Sequence, residues 1–164
     1  MADIRIRKAN ITDAATLLFF VKELAECEKA RDQVTATITD IEKTVFGPGS
    51  TVFALICEVD GTPAGHAVYY FNYSTWLGEY GLYLEDLYVS EKYRGFGAGK
   101  ALFAFLAKTA LDNKCSRFEF SVLDWNRQAI DFYKTQGAQA QSEWVKYRVS
   151  GESLAKLAGK QGQA

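Results

Sequence analysis

Two neighbouring carboxylates, Glu85 and Asp86, stand shortly ahead of the run Arg94-Gly95-Phe96-Gly97-Ala98-Gly99-Lys100. A carboxylate pair can accept protons or hold a cation. A glycine-rich turn that opens a helix exposes backbone N–H groups carrying roughly half a positive charge, and an anion belongs there. Arg94 and Lys100 add formal charge, which suits a pyrophosphate better than a single carboxylate. The spacing is neither a P-loop nor a dinucleotide fingerprint: GxxxxGKS and GxxxxGKT are absent, and Gly95-x-Gly97-x-Gly99 is tighter than GxGxxG. Taken alone, the glycines also suit a loop that merely permits a tight strand-to-helix turn.

The elements that must position these residues follow from the apolar pattern. Leu82 and Leu84 are apolar at even positions, Leu87 and Val89 at odd ones, so the inward parity switches across Glu85 and Asp86. One inserted residue produces that switch, and a β-bulge is expected there. A bulge re-aims side chains and interrupts pairing, which places two adjacent carboxylates for chemistry rather than solubility. After the glycines, Leu102, Phe103, Leu106, Ala107, Ala110 and Leu111 form the apolar stripe of a helix.

Around this strand, loop and helix the rest of the chain reads in order. Residues 4–9 alternate as a first strand, and Thr12 caps a helix through about residue 27, with Leu17, Leu18, Val21, Leu24 and Ala25 as its stripe. Glu23, Glu26, Glu28 and Asp32 crowd its far end, as a solvated face or as a surface for a cationic substrate. Thr39 and Glu42 have capping-box spacing for a second helix ending before Gly47-Pro48-Gly49. Strands at 51–59 and 63–71 join at Asp60-Gly61, a hairpin signal. His66, the single histidine, reads as a packing residue, because no second histidine and no placed serine or cysteine could use it. Residues 72–81 form an aromatic loop, with Tyr73, Trp76 and Tyr80 beside Ser74 and Thr75, either walling a substrate pocket or anchoring the loop. A strand at 117–123, a helix from Trp125-Asn126 to Gly137, a last strand at 144–149 and a short helix at 151–158 complete the order. The fold class is α/β: a mixed sheet with a bulged fourth strand, flanked by helices, with crossovers after the fourth and fifth strands.

A chain of 164 residues is one domain by length, and residues 159–164 read as a frayed tail. With 48% hydrophobic and 24% charged residues the composition is globular, and a net charge of −1 argues against nucleic acid as the main partner. Cys27, Cys57 and Cys115 form no CxxC pair, so neither a metal site nor a disulfide framework is expected; each reads as a small buried hydrophobe in a reducing cytoplasm. No leader-like start and no membrane-length apolar run is seen in the sequence.

The combination of Lys22-Glu23-Leu24-Ala25, Tyr83-Leu84-Glu85-Asp86, Tyr93-Arg94-Gly95-Phe96-Gly97, Trp125-Asn126 and Phe132-Tyr133-Lys134 resembles the GNAT acyl-CoA-dependent N-acetyltransferases. The resemblance runs along nearly the whole chain and is strongest to the diamine, polyamine and thialysine branch. It implies the GNAT fold, with acetyl-CoA as co-substrate and its pantetheine arm lying beside the bulged strand. Main-chain contacts would come from Leu87, Tyr88 and Val89, and a pyrophosphate cradle from Arg94, Gly95, Phe96, Gly97, Ala98, Gly99 and Lys100. Asn126, Arg127, Gln128 and Ala129 match a further cofactor-contacting segment.

The same resemblance implies roles in transfer. An alkyl amine with a pKa near 10 is nucleophilic in about one molecule per thousand at pH 7, a deficit of roughly 4 kcal/mol, so a base is required. Glu85 matches the glutamate that removes this proton through water, and Asp86 assists electrostatically or holds the bulge. Tyr133 matches the tyrosine that protonates the departing thiolate, with direct transfer and no acyl-enzyme. Cys27, Glu28, Ser74, Thr75 and Trp76 fall at the acceptor side. Ser74 replaces an acidic residue of the spermidine and spermine enzymes and Cys27 a tyrosine, which favours a thialysine-like diamino acid over polyamines. Branch members pair as homodimers, and 144–149 is the expected contact. A CoA-binding regulatory module or a protein-modifying acetyltransferase would share the cradle; the joint presence of Glu85 and Tyr133 favours an enzyme, and the acidic helix end a closed pocket for a small amine.

Overall fold

Five strands pair in chain order in the computed structural model, which describes residues 1–159. They are β1 (Ile4–Lys8), β2 (Val52–Val59), β3 (Thr62–Ser74), β4 (Glu79–Val89) and β5 (Arg117–Phe120). Neighbours from β1 to β4 run antiparallel, and β4 and β5 run parallel, so the sheet is mixed and mostly antiparallel. A parallel pair needs a long connection, supplied by helix α3 (Ala98–Asp112). Asp60 and Gly61, with φ of +49° and +75°, make the left-handed pair that a two-residue hairpin demands.

The first compact unit, Met1–Leu123, holds this sheet with α1 (Ala14–Cys27), α2 (Ile38–Val45) and α3. Register assigns the faces. Tyr69 pairs with Leu84 and Ala67 with Leu87, so Leu84 and Leu87 share a face; Val68 pairs with Asp86 and His66 with Tyr88 on the other. On the first face α3 buries Leu102 and Leu106 completely, and Phe103 meets Phe118 and Phe120 at 4.7 and 5.5 Å between ring centroids. Each such leucine contributes about 1.5–3 kcal/mol by burial. On the second face Leu17 of α1 packs with Ala54, Ile56 and Val68, and the ring of Phe20 stacks on His66.

Several expected boundaries move, each for a local reason. The cap before α1 is Asn10 rather than Thr12: its side chain accepts from the Thr12 N–H at 2.9 Å, and Asp13 returns the bond to Asn10, forming a short 3₁₀ turn (Ile11–Asp13) before α1. Asp13 is also clamped by Arg7, at 2.7 and 2.9 Å, which holds its carboxyl below the usual range, while Arg7 Nε reaches Glu58 on β2 at 2.6 Å. The α1 stripe includes Phe20, with Val21 and Leu24 only half-buried. The capping box of α2 is Thr37 with Asp40, two positions earlier than the Thr39 reading. The aromatic segment 72–81 is largely strand, because β3 runs to Ser74 and β4 begins at Glu79, leaving a turn of 75–78. β5 ends at Phe120 rather than 123, where its partner bulges.

The second unit begins at Asp124. Its helix α4 (Arg127–Thr135) is capped by Asn126 Oδ1, which accepts from the Ala129 N–H at 3.1 Å, and ends before Gly137 at φ +87°. Helix α5 (Gly151–Leu157) matches the short terminal helix. Residues 144–149, expected as a strand, form none among the described residues: alternation alone makes no strand without a paired edge, and Val145, Tyr147 and Val149 are exposed. Of the frayed-tail reading of 159–164, all but Gly159 lies outside the described residues.

Candidate functional site

The bulge is where the parity switch placed it. The β3 register passes from Val68 opposite Asp86 to Tyr69 opposite Leu84, so Glu85 is the extra residue on β4. Both carboxylates consequently face the α1 side: Asp86 Oδ2 lies 3.8 Å from Nε2 of His66, and Glu85 is close enough to the Tyr70 phenol to help burial push its pKa up. The β4–β5 ladder stops at Leu84 opposite Phe120, just before the bulge, and Leu87 to Val89 pair only with β3. Main-chain groups on the β5 side of that segment are left for something other than a strand.

Carboxylates converge from α1. Glu28, the C-cap of α1, has its pKa raised by burial and by Asp86. Glu23 Oε2 accepts from the Tyr88 hydroxyl at 3.3 Å, and burial followed by Glu23 pushes that phenol up. Asp86 thus lies between Glu85, its neighbour on the bulge, and Glu28, and Tyr70 and Tyr83, whose rings lie 5.2 Å apart, stand beside Glu85. Neither tyrosine was singled out as a site residue from sequence; the signal was their place on the parity of His66 and Val68 in β3 and of Glu85 in β4. His66 was read as packing, and its ring does stack on Phe20 at 5.8 Å.

The glycine loop leads into α3 with its donors unclaimed by side chains. Gly97 is the N-cap, left-handed at φ +93°, with no side-chain cap bond, and Gly95 has φ +83°. The first intrahelical bond runs from the Ala101 N–H to Gly97, so the N–H groups of Ala98, Gly99 and Lys100 remain for an anion. Lys100 and Phe96 are exposed beside them. Arg94 is engaged elsewhere: Nε donates to the Val89 carbonyl at 2.9 Å, and the guanidinium lies 5.6 Å from the Tyr88 ring, locking the exit of β4 onto the loop. Cys27 is exposed rather than buried, 3.7 Å from Arg94 Nη2, whereas Cys57 and Cys115 are buried and burial pushes the Cys57 thiol up to about 11.

Other expected site residues are not brought to the bulge within this unit. Ser74 is buried and its hydroxyl accepts from the Leu77 N–H at 3.3 Å, so it holds the β3–β4 turn instead of facing a substrate. That turn, with exposed Thr75 and Trp76, lies about 20 Å along β3 from the Val68–Asp86 pair at the usual strand rise. In the second unit Arg127 and Gln128 open α4, Asn126 and Ala129 close its cap, and Tyr133 sits near its end with its ring 5.3 Å from that of Phe132. No cluster of three potential metal ligands occurs among the described residues.

Residues 17–138 match the Acetyltransferase (GNAT) family model. Across 98% of the chain and the whole of the relative, the sequence is 40% identical to thialysine N-epsilon-acetyltransferase of Sus scrofa. It is 34% identical to spermidine/spermine N(1)-acetyltransferase-like protein 1 of Homo sapiens, over 94% of this chain and 24% of that one. Among solved structures, the integron cassette protein VCH_CASS6 from the mobile metagenome of V. cholerae superposes with a TM-score of 0.79 at 28% identity, covering 94% of this chain and 97% of that one.

Proposed function

The chain belongs to the GNAT acetyltransferase family, and we propose that it transfers the acetyl group of acetyl-CoA directly to the primary amine of a small diamino acid of the thialysine type, with diamines next and polyamines after them. The single observation that carries this reading is the bulge: one extra residue leaves Leu87 to Val89 without a β5 strand partner, only the Val89 carbonyl being taken by Arg94, and turns Glu85 and Asp86 to the same face.

The chain offers what acetyl-CoA requires. The free N–H groups of Ala98, Gly99 and Lys100 and the Lys100 ammonium suit its pyrophosphate, and the edge of Leu87 to Val89 that no strand covers suits its amide-bearing arm; when bound it supplies an activated acetyl thioester. Asn126 to Ala129 are proposed as further contacts on the same ground of resemblance. Asp86 and Glu28 hold the acceptor's ammonium, Glu85 takes its proton through water, and the resulting amine nitrogen forms the new bond to the acetyl carbonyl carbon. Tyr133 gives its proton to the leaving sulfur as the carbon–sulfur bond breaks. The nitrogen sheds its second proton as the amide forms, that proton returns through water to the phenolate left on Tyr133, and the protonated Glu85 releases its own to solvent, one proton net per turnover.

We read the whole chain as one acetyltransferase domain, since the family match spans both units, and as a cytoplasmic homodimer, for which the free cysteines and the exposed Val145, Tyr147 and Val149 are the support. The test is CoA release from acetyl-CoA against thialysine, lysine, ornithine, putrescine, spermidine and a lysine-containing peptide, with Tyr133→Phe in parallel. Turnover highest on thialysine and sharply reduced in the variant, with acetyl-CoA still bound, is the expected result. Tight acetyl-CoA binding without turnover on any amine would overturn the assignment.

A further inference from the structure

His66 is placed as a core residue and equipped as something else. It is completely buried in the middle of β3, stacked on Phe20 with an interplanar angle of 6° and flanked by Tyr88 at 6.5 Å, a setting that a phenylalanine ring would fill. Neither Nδ1 nor Nε2 has a hydrogen-bond partner among the described residues. A buried imidazole with both nitrogens unsatisfied costs stability that an apolar ring of the same shape would not. The ion-pair contact it does make is with the bulge: Nε2 stands 3.8 Å from Asp86 Oδ2, longer than a hydrogen bond and within reach of one by a small side-chain shift.

Asp86 is the carboxylate that most needs such a neighbour. It shares its face with Glu85 and with Glu28, whose pKa it helps to raise, and Glu23 lies behind Tyr88. Like charges crowded on one face repel, so a carboxylate there needs a donor behind it to stay aimed at an ammonium. An imidazole N–H at the back of Asp86, in surroundings made apolar by Phe20 and Tyr88, supplies a donor whose bond to a carboxylate is strong there.

We propose that His66 is a positioning residue for the acceptor: Nε2–H closes onto Asp86 when an ammonium occupies the bulge, and holds that carboxylate aimed at it. The proposal rests on the amine-acetylation reading, and its test separates the two. In untagged protein the one histidine gives an unambiguous ring-nitrogen NMR signal. An Nε2–H tautomer is expected, with a ring-nitrogen resonance that differs between the parent and Asp86→Asn in the absence of any substrate. Identical resonances would overturn the contact whether or not the protein turns over. In kinetics, His66→Phe is expected to melt no lower than the parent while KM for the amine rises about tenfold, the size of one charge-assisted hydrogen bond, with KM for acetyl-CoA unchanged. His66→Gln, which places an amide N–H near the position of Nε2, is expected to recover most of that loss. If His66→Phe keeps the parental KM for the amine, the histidine only packs; if that variant fails to fold, the ring-nitrogen comparison and His66→Gln decide.

Discussion

Replacing Glu85 with glutamine removes a charge and a proton acceptor and little that the fold uses. Glu85 is exposed and is the residue that the β3 ladder skips, so no strand pair depends on it. Stability is expected within about 0.5 kcal/mol of the parent. Activity is another matter. With an acceptor pKa near 10, about one amine per thousand is neutral around pH 7, a deficit of roughly 4 kcal/mol that the enzyme has to offset. A positioned base supplies about 10²- to 10⁴-fold, so kcat is expected to fall by about 10²- to 10³-fold near neutral pH while KM for acetyl-CoA stays put. Bulk solvent can take over the lost step. Each pH unit raises the neutral amine about tenfold, so the variant should climb toward the parent at about that slope up to roughly pH 9. Initial rates of CoA release on the best amine, with both proteins followed across this range at saturating acetyl-CoA, read the effect directly. A variant that keeps more than about a third of the parental rate near neutral pH, or that trails by a constant factor at every pH, would refute the assignment of Glu85 as base.

Two further outcomes test the cradle and the cation receptor. Gly97→Ala meets nothing closer than the Ile4 side chain at 3.8 Å, so its cost is that of a side chain at φ +93°, about 1–2 kcal/mol; a lower melting midpoint is expected together with acetyl-CoA affinity weakened about tenfold by calorimetry, and unchanged affinity would move the anion site off this loop. Glu28 keeps its proton more firmly in the folded protein than in the unfolded chain, owing to burial and then Asp86; its own contribution to folding stability should therefore be full below the ordinary carboxylate range and be lost as pH rises through the raised folded value, opposite in sign to that of Asp13. Glu28→Gln should flatten that decline in pH-dependent urea melts and weaken binding of a diamine, whereas a parental pH dependence in the variant would exclude Glu28 as its source.

How far the sequence could be read depended on whether a signal was local. The parity switch at Glu85 and Asp86 is a period-two signal from neighbouring residues, and the bulge lies there. Asp60-Gly61 carries its own turn geometry. Caps were less secure, because several Ser, Thr, Asn and Asp residues compete within one turn: Asn10 wins over Thr12 because Asp13 stands three positions on to complete the box, whereas Thr37 and Thr39 both have an acidic residue at that spacing, Asp40 and Glu42, and the spacing does not separate them. The length of β3 was hidden because Tyr73, Ser74 and Tyr80 look equally apt for an aromatic loop and for a hairpin whose rings pack at 5.4 Å. The segment 144–149 has strand-like alternation, but a strand also needs an edge, which alternation does not report. His66 was read correctly as packed; that its nitrogens would be orphaned beside Asp86 depends on register across β3 and β4, which becomes definite only once the bulge is fixed.

That register explains why a single extra residue is enough. In a regular β4 Glu85 and Asp86 would point to opposite faces, one of them into the apolar layer of Leu82 and Leu84 under α3, where an unpaired charge costs several kcal/mol by rough measure. The extra residue turns both to the α1 side, where Glu28, Tyr70 and His66 meet them, and restores Leu87 and Val89 to the α3 side. The same offset takes β4 out of register with β5 beyond Leu84, so the edge that would accept an amide-bearing arm opens beside the carboxylates that would receive an amine. Deleting Glu85 would therefore be expected to lose the acceptor site and the cofactor edge together, a coupling that no side-chain substitution at the site reproduces.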